Sequence, residues 1–358
     1  MKKIVCLIDS LVSGGAQRQL VGLACLLKSN GFEVTVMTYH DIPFYLDQLQ
    51  KNGVSYINVD KAASTKTRIF YITKALRAYN PDVVIAYLDI PCIVAIISKL
   101  LGCHFKLIVS ERNTTQRLSA KDRIKFYLYK YAEAIVPNSS SQAEFICANF
   151  PFLKSKVHPI TNFVDTEIFK PGSKSMRGKP LRILSVGRVT EQKNVLRYIE
   201  AIYRIRLKGI DVQVNWFGER FKDYYEKCSE KIRKYRLESV FRFFDASKDI
   251  ALQYAEADVF CLPSVYEGFP NVICEAMSCG LPILCSNICD NPNIVKEGFN
   301  GLLFNPLSID DMVSSIEKFD KMDSLTKKQM GDASRRLALN NFSSTSFVHK
   351  YIQLIKRL

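Results

Sequence analysis

The chain has 358 residues, of which 47% are apolar, and a formal net charge of +15. This length is too great for one typical hydrophobic core and suits two domains of ordinary size. The 11 cysteines form no C-x-x-C pair and lie mostly in apolar runs, so neither a disulfide framework nor a metal centre is predicted. The positive charge would attract polyanions, but no nucleic-acid-binding motif accompanies it.

Short apolar runs alternate with amphipathic segments along the first half of the chain, which is the pattern of βαβ units and a parallel sheet. Strands are predicted at residues 3–8, 33–38, 55–57, 83–87, 106–109 and 134–136, and helices at 16–30, 67–79 and 121–133. The best candidate for a membrane-spanning helix, residues 83–102, is interrupted by charged residues and a proline. The N-terminal apolar run is short and meets Asp9, which disfavours a signal peptide and predicts a cytoplasmic protein.

Residues 170–180 are polar, rich in Gly, Pro and Ser, and without periodicity, which predicts a linker. We therefore expect an N-terminal domain over residues 1–170 and a C-terminal domain over residues 171–358. Strands of the second domain are predicted at residues 181–187, 212–217, 240–243, 259–262 and 282–285. The amphipathic segment 343–358 is predicted to be a helix, packed either back on the first domain or on the second.

The most informative stretch follows the predicted strand 259–262. Glu267 and Glu275 lie eight positions apart around a Gly-Phe-Pro-Asn turn. Glu267 falls in the loop at the C-terminal end of the strand, and Glu275 about two turns into the next helix. Ligands of open α/β sheets bind at this end of the strands, and the free N–H groups of a helix start favour phosphate.

This stretch resembles the E-x7-E signature of retaining glycosyltransferases of family 4, whose GT-B fold has two doubly wound Rossmann-like domains facing across a cleft. Residues 186–194, Val-Gly-Arg-Val-Thr-Glu-Gln-Lys-Asn, resemble the G-R-x4-K-[GN] motif of the family. The resemblance implies that Arg188 and Lys193 hold the diphosphate of a sugar nucleotide and that Glu267 acts on the transferred sugar. It also implies substrate contacts at Gly187, Gly268, Phe269, Pro270, Asn271 and Val272, and ribose recognition by Glu275.

The first domain carries weaker signals. Residues 13–18 resemble the Gly-Gly-x-[EQ] loop of the family, with Gly15 as the expected contact, and do not form the G-x-G-x-x-G of a nicotinamide site. Many family members have a histidine near the reacting sugar where this chain has Val109-Ser110-Glu111-Arg112-Asn113. Glu111 is therefore predicted to be catalytic and Arg112 to bind substrate, with a local salt bridge as the alternative.

The resemblance implies a retaining transferase that moves a hexose or N-acetylhexosamine from a nucleotide diphosphate sugar, with a UDP-sugar expected, without metal or cofactor. The implied acceptor is a lipid-linked saccharide of surface polysaccharide biosynthesis, for a capsule, an O-antigen or an exopolysaccharide. One alternative is a sugar-nucleotide 2-epimerase of the same fold. Another is a non-catalytic, basic protein that binds membrane surfaces or polyanions.

Residues 121–131 combine cations with aromatic and apolar residues at helical spacing. A basic amphipathic helix suits an anionic membrane surface, and a core-facing stripe with solvated lysines is the alternative. Because family relatives with lipid-linked acceptors touch the membrane through this domain, we expect a peripheral protein on the inner face of the plasma membrane.

Overall fold

The computed structural model describes residues 1–59, 65–115, 117–172, 178–247 and 249–358, and it divides into two compact units. The first unit comprises Met1–Asn162 and Ser344–Leu358, and the second Phe163–Ser343. The division precedes the predicted linker, of which residues 173–177 lie outside the described residues. Residues before the predicted boundary join the second unit because Val164 and Phe169 are buried in its core.

The first unit is a six-stranded parallel sheet of order β3-β2-β1-β4-β5-β6. Its strands are buried apolar runs, which is typical of parallel sheets covered on both faces. They are β1 (Lys3–Leu7), β2 (Glu33–Thr38), β3 (Ser55–Asn58), β4 (Val83–Tyr87), β5 (Lys106–Glu111) and β6 (Ala134–Pro137). The helices are α1 (Gly15–Ser29), α2 (Leu46–Lys51), α3 (Thr65–Tyr79), α4 (Asp89–Leu100), α5 (Ala120–Leu128) and α6 (Ser140–Asn149), with 3-10 helices at Tyr129–Tyr131 and Pro151–Lys156.

The second unit repeats this plan with the order β12-β11-β10-β7-β8-β9. Its strands are β7 (Leu181–Val186), β8 (Val212–Phe217), β9 (Phe241–Phe244), β10 (Val259–Leu262), β11 (Ile283–Ser286) and β12 (Gly301–Phe304). Its helices are α7 (Val195–Leu207), α8 (Lys222–Lys234), α9 (Ile250–Glu256), α10 (Asn271–Ser278), α11 (Asn291–Ile294), α12 (Ile309–Lys321) and α13 (Ser324–Phe342), with a 3-10 helix at Glu191–Lys193. The last helix, α14 (Ser344–Arg357), belongs to the first unit and contacts α1.

Both sheets reverse their strand order at one place, between β1 and β4 in the first unit and between β7 and β10 in the second. Ligands of doubly wound sheets bind at the carboxyl ends of the strands at such a reversal. The prediction of two doubly wound units is confirmed. Within the part of the chain that the structure describes, no helix has the length and apolar character needed to cross a bilayer.

Candidate active site

The loop after β7 carries the two predicted diphosphate-binding cations. Gly187 begins it with φ 157°, and a side chain there would come within 3.0 Å of Lys193 Cε, so glycine permits the close approach of Lys193 to the backbone. Arg188 is exposed, with its guanidinium 6.0 Å from the centre of the Phe221 ring. The loop therefore presents one exposed cation and one packed against the end of the strand.

The loop after β10 meets this loop directly. Glu267 Oε1 lies 2.5 Å from Lys193 Nζ and accepts a hydrogen bond from Ser264 Oγ at 2.5 Å. The backbone N–H of Val265 donates to Gln192 O at 2.9 Å, and Gln192 Nε2 donates to Tyr266 O at 3.0 Å. The structure thus brings the two motifs together at the strand-order reversal of the second sheet, with opposite charges paired.

The Gly-Phe-Pro-Asn turn is held by its apolar residue. Phe269 is buried in the core of the second unit, and its ring packs edge-on against Phe342. Pro270 caps α10, and the N–H of Asn271 donates to Phe269 O at 2.9 Å. The turn between Gly268 and Val272 is therefore anchored from inside, which fixes its backbone N–H groups beside Glu267. That these amides bind sugar hydroxyls stays a prediction.

Glu275 is buried one turn into α10, where its Oε2 accepts a hydrogen bond from the hydroxyl of Tyr254 at 3.1 Å. This contact holds the carboxylate in one orientation within an apolar core. Its predicted role toward a ribose is not tested by the geometry.

Cys289 is a neighbour of this site that the sequence reasoning missed. Burial raises the pKa of the Cys289 thiol, and the backbone of Glu267 opposes this rise. Cys289 has φ 46°, a left-handed conformation that is uncommon outside glycine and asparagine. The sequence carries no motif that would have indicated this neighbour, since its backbone conformation is seen only in the structure.

In the first unit, the predicted Gly-Gly loop forms the start of α1. Gly14 is the N-cap, Gly15 is exposed, and the first turn contains no acidic residue. A side chain on Gly14 would collide with Gln17, whose Nε2 donates to Asp9 Oδ1 at 3.2 Å. Gly15 is thus exposed at a helix start, where backbone N–H groups favour anions, and its contact with a substrate stays a prediction.

Glu111 is buried and paired within the first unit, and its catalytic role stays a prediction. It is 1% exposed, and its carboxylate accepts hydrogen bonds from Lys125 Nζ at 2.9 Å and from the hydroxyl of Tyr129 at 2.5 Å. Burial, assisted by the charge of Asp89, raises the pKa of Glu111 against the opposing effect of Lys125. The geometry is the local salt bridge that the sequence left open as the alternative.

Arg112 is likewise engaged within the first unit. Its Nη1 donates to Asn162 Oδ1 at 2.6 Å and its Nη2 to the hydroxyl of Tyr351 at 2.8 Å. The guanidinium also stacks 3.9 Å from the centre of the Tyr87 ring. These contacts tie α14 and the end of the first segment to β5, and binding of substrate by Arg112 remains a prediction.

The site contains a paired cation and carboxylate, Lys193 and Glu267, with Arg188 exposed on the same loop as Lys193. Such groups suit a ligand carrying both phosphate and hydroxyl groups. Among the described residues, no group of three or more His, Cys, Asp or Glu side chains could hold a metal ion.

The chain matches known proteins over nearly its whole length. The family model described as Glycosyltransferase Family 4 matches residues 13–168, and the model described as Glycosyl transferases group 1 matches residues 167–337. An N-acetylgalactosaminyltransferase of Campylobacter jejuni, named for an undecaprenol-diphosphate saccharide, is 26% identical, covering 94% of this chain and 95% of the relative. The amylovoran biosynthesis glycosyltransferase AmsD of Erwinia amylovora is 27% identical over 83% of this chain and 84% of the relative.

Solved structures show the same fold. HepE of Anabaena, in complex with UDP and glucose, superposes with a TM-score of 0.85 at 18% identity, covering 100% of both chains. A glycosyltransferase of Rickettsia africae superposes with a TM-score of 0.87 at 17% identity, covering 99% of this chain and 98% of that one. The two family models together match residues 13–337, and the chain has two doubly wound units. This chain therefore belongs to the glycosyltransferases described as Family 4 and group 1, which have the GT-B fold.

Proposed function

We propose that this protein transfers a hexose or N-acetylhexosamine, with retention of configuration, from a UDP-sugar to a lipid-linked saccharide in bacterial surface polysaccharide biosynthesis. The observation that carries the proposal is the meeting of Lys193 and Glu267 at the strand-order reversal of the second sheet. A cation for the diphosphate and a carboxylate for sugar hydroxyls are thereby held within hydrogen-bonding distance of each other. Arg188, exposed on the same loop, adds a second cation.

In the proposed reaction, the bond between the anomeric carbon and the diphosphate oxygen breaks first, and the electron pair leaves with the nucleotide. Arg188 and Lys193 stabilise the charge that develops on the diphosphate. Glu267 and the anchored turn 268–272 orient the sugar. The acceptor hydroxyl then bonds to the anomeric carbon on the same face, and its proton passes to a phosphate oxygen. These cations supply the charge neutralisation that a metal would otherwise provide, so activity should persist in a chelator.

The relatives support the choice of substrates. Two matched proteins of Campylobacter jejuni are named for undecaprenol-diphosphate saccharide acceptors, and AmsD is named for amylovoran biosynthesis. The HepE structures contain UDP. An acceptor on a polyprenyl diphosphate would hold the protein at the cytoplasmic face of the plasma membrane.

The surface around α5 supports that location. Ile124 and Tyr127 are 63% and 55% exposed, and Phe152 is exposed beside Tyr127, whose ring Lys130 Nζ approaches at 3.8 Å from the centre. Apolar and aromatic side chains with neighbouring cations suit the interface of an anionic bilayer. Lys125 of the same helix instead points inward to Glu111.

Two other functions fit parts of the structure. A 2-epimerase of this fold would turn over a UDP-sugar without an acceptor, and a non-catalytic polyanion-binding protein would bind anionic vesicles and transfer nothing. The intact Arg188, Lys193, Glu267 and Glu275 set argues against the non-catalytic protein. An epimerase would bind the same donor, and turnover without an acceptor distinguishes it.

Thermal stability with a panel of nucleotide diphosphates and UDP-sugars tests the proposal. A ligand at 100 times its dissociation constant should stabilise the protein by about 2.7 kcal/mol. We expect a selective shift with UDP compounds that is lost in Glu275→Ala, and sugar transfer to an undecaprenyl-diphosphate saccharide in the presence of a chelator. Turnover of a UDP-sugar without acceptor would favour the epimerase, and no shift with any nucleotide would contradict a UDP-sugar transferase.

A further inference from the structure

One buried asparagine joins three loops at the ligand-binding edge of the second sheet. Asn194 is 2% exposed and adopts a left-handed conformation, with φ 58° and ψ 32°, between the 3-10 helix Glu191–Lys193 and α7. Its Nδ2 donates to Pro263 O at 3.1 Å and to Pro306 O at 2.7 Å. Pro263 begins the loop that carries Glu267, and Pro306 follows β12.

The third polar contact fixes the direction of this amide. Arg197 Nη1 donates to Asn194 Oδ1 at 3.0 Å. Two carbonyl oxygens on one side require a donor, and a guanidinium on the other requires an acceptor, so an amide satisfies all three partners and a carboxylate does not. An aspartate would keep the shape and the tolerance for left-handed backbone while placing an oxygen against two carbonyl oxygens.

Lys193 immediately precedes this residue, and its ammonium meets Glu267 at 2.5 Å. We propose that Asn194 is a positioning residue that sets the spacing between the loop of Arg188 and Lys193 and the loop of Glu267. The side chain is buried against backbone carbonyls, so it acts through these neighbours. The ligand named in the test rests on the proposed function, whereas the bracing of the loops does not.

Three variants separate positioning from ordinary stability. Asn194→Gly removes the side-chain amide and keeps the left-handed backbone. Asn194→Asp replaces the donor Nδ2 by an acceptor oxygen. The control is Asn300→Ala. Asn300 is fully buried and precedes β12, at the amino end of the strands, and its Oδ1 accepts a hydrogen bond from Lys296 N at 2.7 Å. We measure the melting temperature, the Kd for UDP, the KM and kcat with a UDP-sugar, and amide hydrogen exchange of residues 263–269.

All three variants should melt at a lower temperature than the wild type. Only in the two Asn194 variants should the amide hydrogens of residues 263–269 exchange faster. These two variants should also bind UDP more weakly and lower kcat/KM, each by between about tenfold and 100-fold. The effects should be larger in Asn194→Asp. Unchanged exchange at residues 263–269, or faster exchange with wild-type Kd and kcat/KM, would overturn the inference. If the wild type binds no nucleotide, the proposed function fails, and the exchange of residues 263–269 alone decides whether Asn194 braces the loop.

Discussion

The ion pair of Lys193 and Glu267 predicts that stability and activity respond differently when one or both partners are replaced. The two side chains are 12% and 9% exposed, and removal of one partner from a buried pair costs about 3–5 kcal/mol because the other charge is left unpaired. We expect Lys193→Met to lower the free energy of unfolding by about 3 kcal/mol, since the Glu267 carboxylate cannot move to solvent.

Glu267→Gln should lower the free energy of unfolding by only about 1 kcal/mol, because the flexible stem of Lys193 lets its ammonium move toward water. The double variant lacks both charges and should be more stable than the sum of the single losses predicts, by about 1–3 kcal/mol. Urea denaturation of the four proteins measures this coupling. Transfer from a UDP-sugar should fall in all three variants, so that the double variant regains stability and not activity.

A matched pair in the same unit provides the control. Lys208 and Glu317 lie 2.5 Å apart with side chains 50% and 24% exposed. The same substitutions there should show weaker coupling, because solvent screens the pair. Equal coupling at the two pairs would refute the assignment of the effect to burial. Recovery of transfer in the double Lys193→Met, Glu267→Gln variant would refute the roles assigned to both side chains.

Three further outcomes are expected. Burial raises the pKa of Glu111, so the contribution of Glu111 to stability should fall as the pH rises from 4.5 through that pKa. The difference in unfolding free energy between the wild type and Glu111→Gln, from urea denaturation across this range, should show that fall. Replacing Ile124 and Tyr127 by Ser should weaken binding to phosphatidylglycerol vesicles about tenfold or more in a sedimentation assay, whereas Leu207→Ser, an exposed apolar site of the second unit, should not. Alkylation of Cys289, mapped by mass spectrometry, should slow in saturating UDP, and an unchanged rate would place the nucleotide away from Glu267.

The sequence predicted the parallel sheets and the loop after β10 because both signals are local. Buried strands are short apolar runs, and Glu267 and Glu275 stand in one continuous motif. The partners of these groups are not local: Lys193 lies 74 positions before Glu267, and Asn194 reaches Pro306 across 112 positions. Only strand order brings such residues together, and apolar periodicity does not encode it.

The basic cluster around α5 shows a different limit. Helical spacing assigned its cations to solvent, yet Lys125 lies inside, because Glu111 at the end of β5 and Asp89 at the start of α4 both need a cation there. A charge run predicts an exposed face only when no buried acid faces it. The composition of the proposed membrane-facing surface therefore depends on which lysine turns inward. Ile124 and Tyr127 remain exposed in the structure.

The two buried Glu–Lys pairs, Glu111–Lys125 and Glu267–Lys193, differ in how readily a substrate could displace the carboxylate from the lysine. Lys125 is held between Glu111 and Asp89 at 2.9 and 3.1 Å and is 8% exposed, so a diphosphate would have to displace two carboxylates to reach it. Lys193 is bound to Glu267 at the strand-order reversal, on the same loop as exposed Arg188. A diphosphate bound there, as proposed, would compete with one carboxylate for Lys193, which would free Glu267 for sugar hydroxyls. In the proposed reaction the second pair could therefore release its acid, whereas the first pair keeps Glu111 bound to Lys125 and Tyr129. The catalytic roles of Glu267 and Glu111 stay predictions that the substitutions above test.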